Sequence, residues 1–513
     1  MAPKFGTSGL RGLVSDLTPD LIADYTRAFL AACPVGRGLY IGRDLRASSP
    51  EIAAAVAQAA RAEGVAVTDC GAVPTPALAL AAMAAGSAAI MVTGSHIPSD
   101  RNGLKFYLPG GEITKTDEAA ILVALGRAPA GLSAPLSQAD AATPWVQRYI
   151  RALGTQALSG LKIGLWEHSA VSRDLIAGAL EGLGAEVLRL GRSEVFIPVD
   201  TEAVPAEIRA RIAAWCREHG LDALVSTDGD GDRPLLADER GGLVPGDLLG
   251  QITARVLGAE VVVTPVSSNS GVERSGAFGR VIRTKIGSPF VIAGMEAAGG
   301  RVAGYEARMA AGPVPPLWTR DSLLPLVAPL ALARASGRSL SALIAAEPAR
   351  FTAADRLEEI APETSRALMA RLEEGHFTAL LSPLGESLSA QDRTDGLRLH
   401  LASGRVIHLR PSGNAPELRL YTEAESLELA QDLLARVNCD TAGLRGFRLC
   451  NTPGTRRQIP PRLCGHRSAG DSRSGFAEAM PPPRWRGHRP SASPYNCGWR
   501  SGPWPLQWHR RNP

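Results

Sequence analysis

The sequence predicts an α/β protein of several domains: three similar mixed-sheet α/β units followed by a smaller α+β unit. Three observations predict this. At about 100 to 200 residues per domain, a chain of 513 residues corresponds to about three or four. From residue 38 onward, short apolar strands alternate with amphipathic helical stretches, the pattern of βαβ units. After about residue 365 that alternation stops and strand–turn–strand–helix takes over.

The elements follow in order. "GLYIGRD" (38–44) leads to the helical "SPEIAAAVAQAARAEG" and the strand "VAVTDCG". "LKIGLWE" (161–167) leads to "SRDLIAGALEGLG" and "AEVLRLG". "DALVSTD" (222–228) closes a helix–strand unit that begins near Pro205. "EVVVTPV" (260–266) and "RVIRTKIG" (280–287) open a third zone, with "SPFVIAGMEAAGG" as helix and "RVAGYEA" as strand. "LASGRVIHLRPSGNAPELRLYTEA" reads as two strands about a Pro-Ser-Gly-Asn turn, with a helix from Ser426 to Arg436. The expected units are 1–140, 145–248, 249–355 and 366–445, with connecting chain at 126–144, 241–246 and 350–365.

Apolar residues make up 45% and charged residues 21%, ordinary for a water-soluble globular chain. The net charge of +4 conceals a division. Residues 451–513 carry eleven arginines and no lysine, against Asp471 and Glu478, so residues 1–450 are acidic. The basic pI belongs to the tail and gives no reason to expect nucleic acid or an anionic membrane as partner of the folded body. That tail, 446–513, is rich in Arg, Pro and Trp without periodicity, which predicts disorder. Its composition fits an accidental extension better than a tail selected for an acidic partner. Seven dispersed cysteines without a CxxC pair read as free thiols in a reducing compartment. "MAPKFGTSGLRG" has no apolar leader, and the run at 77–92 is interrupted by Gly86-Ser87 and too short to span a bilayer; the expectation is cytoplasmic.

Four segments carry candidate chemistry. "TDGDGDRP" (227–234) places Asp228, Asp230 and Asp232 alternately at a strand end. On an extended backbone they would project to one side, and Gly229 and Gly231 would let the loop bend. Carboxylate oxygens suit Mg²⁺ or Ca²⁺. An EF-hand loop fails at its sixth place, where Arg233 stands in place of glycine. "TGSHIPSDRNGLKFY" (93–107) puts Ser95 on a turn beside His96, with Lys105 returning to the same end. "RPSGNAPELR" (410–419) offers Arg410, Ser412, the amides of Gly413 and Asn414, and Arg419 as an anion cradle. "FGTSGLRG" (5–12) sets Arg11 between flexible neighbours.

Taken together, in this order and spacing, the four segments resemble the α-D-phosphohexomutase family, most nearly its bacterial phosphomannomutases. The resemblance covers about residues 4–440. It implies four domains around a central cleft, and an isomerase that interconverts mannose 6-phosphate and mannose 1-phosphate through a hexose 1,6-bisphosphate. By the same resemblance, Ser95 is carried as a phosphoserine of about −1.5 to −2 charge. Asp228, Asp230 and Asp232 hold Mg²⁺, which also touches that phosphate and relieves its repulsion from the carboxylates. Arg233 offsets charge on the moving group. Lys105, His96 or Arg11 handles a proton or neutralises phosphate, with the base left open among them. Arg410, Ser412, Gly413, Asn414 and Arg419 grip the phosphate that is not transferred. Lys285, Gly287 and Ser288 in "RTKIGSP" and Glu306 in "GYEARMAAG" match ligand contacts to the phosphosugar. Here the chain departs from the usual Glu-Ala-Asn-Gly-Gly, with Ala307, Arg308, Met309 and Ala310 after the glutamate. Larger side chains there would narrow or re-aim the sugar loop. That keeps phosphoglucomutase, dual specificity and a silent phosphosugar-binding homologue as alternatives.

Overall fold

One four-stranded pattern occurs three times in the chain. In the first unit, strand Leu39–Arg43 pairs in parallel with Val67–Ala72 on one side and with Ala88–Val92 on the other. Ala88–Val92 then pairs antiparallel with Arg101–Leu108. In the second unit, Lys162–His168 takes the central place between Glu186–Arg192 and Ala223–Thr227, and Pro234–Asp238 closes the sheet antiparallel. In the third, Val261–Pro265 lies between Arg280–Thr284 and Val302–Gly304, with Met309–Ala310 as the antiparallel edge. The computed structural model describes residues 3–6, 9–304, 309–310, 317–358, 360, 362–373, 377–412 and 417–444.

The first sheet is extended by Lys4–Phe5, Leu10–Leu13, Gly111–Glu112 and Leu136–Gln138. The apolar run at 77–92 divides as its Gly-Ser interruption foretells. Helix Thr75–Ala84 ends, Gly86 turns the chain at φ +62°, and strand Ala88–Val92 follows. That strand is buried at every position, as is Ala223–Thr227, because helices cover both faces of these sheets. One apolar core runs through the second and third units. It joins Trp145, Tyr149, Ile163 and Leu236 to Val262, Leu323 and Leu326. Helix Leu323–Ser336, apolar on nearly all sides, sits within it and accommodates Pro329 in its interior.

The fourth unit is an antiparallel sheet in the order Phe351–Leu357, Leu418–Ala424, Val406–Pro411, Leu397–Leu401, Leu388–Asp392. Met369 and Leu372 on helix Pro362–Glu373, and Leu433 and Val437 on helix Leu427–Leu444, cover it. Two stretches expected to be connecting chain are ordered elements. Phe351–Leu357 is an edge strand, so this sheet begins at 351 and not 366. Its mostly exposed, charge-bearing face hides the strand pattern. Likewise 126–144 contains strand Leu136–Gln138 and the start of helix Ala142–Leu153. The last helix also runs past Arg436. Residues 445–513, including the whole of the expected disordered tail, lie outside the described residues. Among the described residues no helix is long and apolar enough to cross a membrane.

Candidate active site

The repeat explains where the motifs sit. In each of the first three units the connection between the third strand and its antiparallel partner is one of the segments singled out in the sequence. It is the Ser95 turn in the first unit, the aspartate turn in the second, and residues 305–308 in the third. Glu306 belongs to that last connection and lies outside the described residues, as do Gly413 and Asn414.

The aspartates do not converge through an extended backbone. Strand Ala223–Thr227 stops, and 228–233 form a tight turn between hairpin strands. Asp228 N–H donates to Arg233 O at 3.2 Å, and Gly231 turns at φ +73°. Asp228 Oδ1 accepts from the amides of Asp232 (3.2 Å) and Arg233 (3.1 Å). The folded-back loop brings one carboxylate oxygen of each of Asp228, Asp230 and Asp232 within 4.8 Å of the others, all buried. Neighbouring units hold it: Thr75 N–H donates to Asp230 O at 2.9 Å, Thr75 Oγ1 to Asp230 Oδ2 at 2.6 Å, and Ser322 Oγ to Gly231 O at 2.7 Å.

Ser95 meets this cluster directly. Its Oγ donates to Asp228 Oδ2 at 2.6 Å and lies 3.3 Å from His96 Nδ1. Lys105, on the strand returning from the serine turn, bridges Asp230 Oδ2 and Asp232 Oδ2 at 2.6 Å each. Burial works against its charge, but Asp230 and Asp232 outweigh that and push the ammonium's pKa up. Burial likewise opposes ionisation of Asp230, yet Lys105 and Thr75 hold it below the usual carboxylate range. Asp228, buried and facing the other two carboxylates, is raised. His96 is lowered to about 4 by burial and then by Arg233. It is therefore neutral near pH 7, while Lys105 is charged.

Arg11, paired across the sheet with Gly103, has its pKa lowered by burial and by nearby Arg233. Arg233 Nη1 lies 3.5 Å from Glu202 Oε1 and 3.8 Å from Asp200 Oδ1. Arg320 repels both arginines electrostatically, and it lines the same cavity as Asp232 of the acidic cluster. A cavity of about 30 Å³ beside it is lined by Lys105, Asp232, Arg320, Glu112 and Lys115.

In the third unit, Gly287 at φ +130° precedes helix Ser288–Ala298. Ser288 Oγ donates to Glu112 Oε2 at 2.5 Å, tying that loop to the first unit, and Lys285 Nζ sits 5.9 Å from the Phe290 ring centre. In the fourth unit, Arg410 Nε lies 2.9 Å from Asp395 Oδ2, which also accepts from Ile286 N–H of the third unit at 3.0 Å. Arg419 stands opposite Arg410 in the sheet, but its guanidinium is turned to Glu417 at 2.8 Å. Ser412 N–H donates to Glu417 O at 2.9 Å. Thr75, Glu112, Arg320 and Asp395 are therefore parts of the site that the motifs do not name. They lie far apart in the chain, Thr75 at a helix start, Glu112 on a short strand, Arg320 and Asp395 in connections, and only the assembled chain brings them in.

Four family models describe this layout. They are phosphoglucomutase/phosphomannomutase α/β/α domains I (residues 2–129), II (147–242) and III (245–351), and the C-terminal domain (354–438). A phosphomannomutase of Sinorhizobium fredii is 44% identical over 466 residues, 85% of this chain and 98% of that protein. One from Salmonella muenchen is 41% identical, over 85% of this chain and 94% of its own length. Among solved structures, a phosphoglucomutase/phosphomannomutase family protein of Burkholderia thailandensis shares the fold. Its TM-score is 0.70 at 23% identity, over 85% of this chain and 98% of that one. An Aspergillus fumigatus N-acetylphosphoglucosamine mutase, solved with GlcNAc-6P and magnesium, gives a TM-score of 0.51 at 13% identity, over 86% and 96%. The class is thus a four-domain phosphohexomutase, an isomerase. The chain belongs to the phosphoglucomutase/phosphomannomutase family.

Proposed function

We propose that this enzyme interconverts mannose 6-phosphate and mannose 1-phosphate, with Ser95 carried as a phosphoserine and a hexose 1,6-bisphosphate formed between. The observation that carries the reading is the Ser95 hydroxyl at 2.6 Å from Asp228 Oδ2, at the edge of a buried carboxylate cluster. The relatives at 44% and 41% identity, both phosphomannomutases, support the choice of sugar.

The cluster fits a small divalent cation. Three carboxylates offer oxygens within 4.8 Å of one another, and Oδ1 of both Asp230 and Asp232 is buried without a hydrogen-bond partner. Asp228, Asp230 and Asp232 would hold Mg²⁺, which would supply positive charge against the phosphoryl oxygens in transfer. Lys105 bridges two of the carboxylates and holds that of Asp230 ionised. Arg11, Arg233 and Arg320 add cationic charge on the cleft side, favouring a dianionic substrate. His96, neutral near pH 7, offers Nδ1 as a proton acceptor 3.3 Å from Ser95 Oγ.

A mutase presents either end of its substrate to one serine, so the phosphate not in transfer needs its own grip. Arg410, Ser412, Gly413, Asn414 and Arg419 would take that role, while Lys285, Gly287, Ser288 and Glu306 would contact the phosphosugar. Buried free thiols at Cys33, Cys70 and Cys216 suit a reducing compartment, and we place the enzyme in the cytoplasm. The test is a coupled assay with Mg²⁺ and hexose 1,6-bisphosphate on mannose 1-phosphate, glucose 1-phosphate and glucosamine 1-phosphate. Mannose 1-phosphate should give the highest kcat/KM; preference for another sugar, or no turnover, refutes the proposal.

A further inference from the structure

Arg46 is 2% exposed, and each of its five guanidinium N–H groups has an acceptor. Nε donates to Asp44 Oδ2 at 3.2 Å. Nη1 donates to Pro98 O (2.7 Å) and Arg101 O (2.9 Å). Nη2 donates to Ser95 O (2.9 Å) and Ile97 O (2.6 Å). Four of the five acceptors are therefore backbone carbonyls of the serine turn and of the first residue of the strand that leaves it.

The same network reaches Ser95 from its other side. Ser95 N–H donates to Thr93 Oγ1 at 2.7 Å, Thr93 Oγ1 donates to Asp44 Oδ2 at 2.7 Å, and Ser49 Oγ anchors Asp44 Oδ1 at 2.5 Å. Both polar groups of the Ser95 main chain are thus tied into one ring closed through Asp44 and Arg46. Such a ring has work to do. Ser95 stands at φ +54°, a left-handed conformation that a residue with a Cβ keeps only where its surroundings impose it. Gly94 makes room for the ring: a Cβ there would come 2.6 Å from Arg46 Cζ. On the open face, Phe196 of the second domain lies with its ring centre 4.1 Å from Arg46 Cζ. A Cβ on Gly229 of the aspartate turn would approach that same ring to 2.9 Å. Phe196 is thereby packed between the guanidinium and the carboxylate loop.

We propose that Arg46 is a positioning residue. It clamps the serine turn so that the Ser95 hydroxyl points at the aspartates, and Phe196 locks the clamp to the second domain. The inference rests on the mutase reading, in which Ser95 carries the phosphoryl group. Lysine would keep the charge but has three donors and no planar fork, so Arg46→Lys leaves carbonyls of the turn unpaired. Thr93→Val releases the Ser95 amide while leaving Arg46 in place, and serves if Arg46→Lys does not fold.

Three measurements on the full chain decide the matter. Amide exchange over 95–101 should speed up about 10-fold or more in either variant, with helix cores unchanged. Phosphorylation of Ser95 by hexose 1,6-bisphosphate, followed by intact mass, should slow about 100-fold, and kcat with it, while KM stays near wild type. The proposal requires both effects; exchange or phosphorylation at the wild-type rate in a folded variant overturns it. A dephosphorylated wild-type protein that takes up no phosphate from the bisphosphate sinks the mutase reading, and this inference with it. A variant phosphorylated as fast as wild type sinks the Arg46 inference alone.

Discussion

Ser95 Oγ and Asp228 Oδ2 lie 2.6 Å apart although 133 positions separate them in the chain. The contact joins the turn of the first sheet to the equivalent turn of the second. Ser95→Ala should reduce mutase turnover by about 10⁴-fold or more, the scale of removing a nucleophile. Peptide mass spectrometry of the wild-type protein should place one phosphate on Ser95. Phosphate on another residue, or turnover retained in the variant, contradicts the assignment.

Lys105 stands between Asp230 and Asp232 with 5% of its surface exposed. Removing one partner of a buried ionic cluster costs about 3–5 kcal/mol. Lys105→Met should lose stability on that scale in urea unfolding without divalent ions. A loss below about 1 kcal/mol, the range of a surface pair, would mean the cluster does not depend on this ammonium.

The unpartnered Oδ1 atoms of Asp230 and Asp232 predict a cation affinity that titration calorimetry can read directly. Mg²⁺ should bind with one site per chain. Asp230→Asn should weaken it by more than the roughly 10- to 100-fold lost when an outer-shell partner is removed. EDTA should abolish turnover and Mg²⁺ restore it. Equal Mg²⁺ binding by wild type and variant excludes this cluster as the site.

His168 is fully buried, with Nε2 2.8 Å from Thr227 O. Burial, together with nearby Arg173, lowers its pKa from 6.5 to about 4. The unfolded chain therefore takes up a proton at this site before the folded one does. Stability should fall as pH drops from about 6.5 toward 4, by on the order of 3 kcal/mol from this group. Asn tolerates the left-handed backbone found here, φ +26°. In His168→Asn the urea midpoint should vary less over that pH range; an unchanged slope assigns the acid sensitivity elsewhere.

Asp395 fixes Arg410 and accepts from Ile286 N–H. Asp395→Ala should free that guanidinium and raise KM for the sugar phosphate about 10-fold, with kcat changed far less. A fall in kcat at constant KM would give Asp395 a different role.

Much of this was legible in the sequence, for physical reasons. The buried strands Ala88–Val92 and Ala223–Thr227 are short and mostly aliphatic, and each is followed by polar residues too dense for a core. Strand Phe351–Leu357 was not legible. Hydrogen-bonded at a sheet edge and mostly exposed, it carries Thr, Asp and Arg where alternation would be sought. The convergence of the aspartates could be anticipated, but not its cause. The loop folds back on Asp228 Oδ1, a side-chain-to-amide device that periodicity does not encode. Arg46, Arg320 and Asp395 carry no motif of their own, because what makes them matter is the partner each finds far along the chain, for Asp395 the Ile286 amide.

The two partners of the Asp395 carboxylate differ in one respect. Arg410 travels on the same sheet, whereas the Ile286 amide belongs to the neighbouring domain. If the C-terminal domain swings outward to discharge product, this seam point breaks a single amide-to-carboxylate hydrogen bond worth about 1.5–3 kcal/mol. The carboxylate–guanidinium couple would ride outward undivided, and the anion grip proposed for Arg410 would return to its next cargo already assembled.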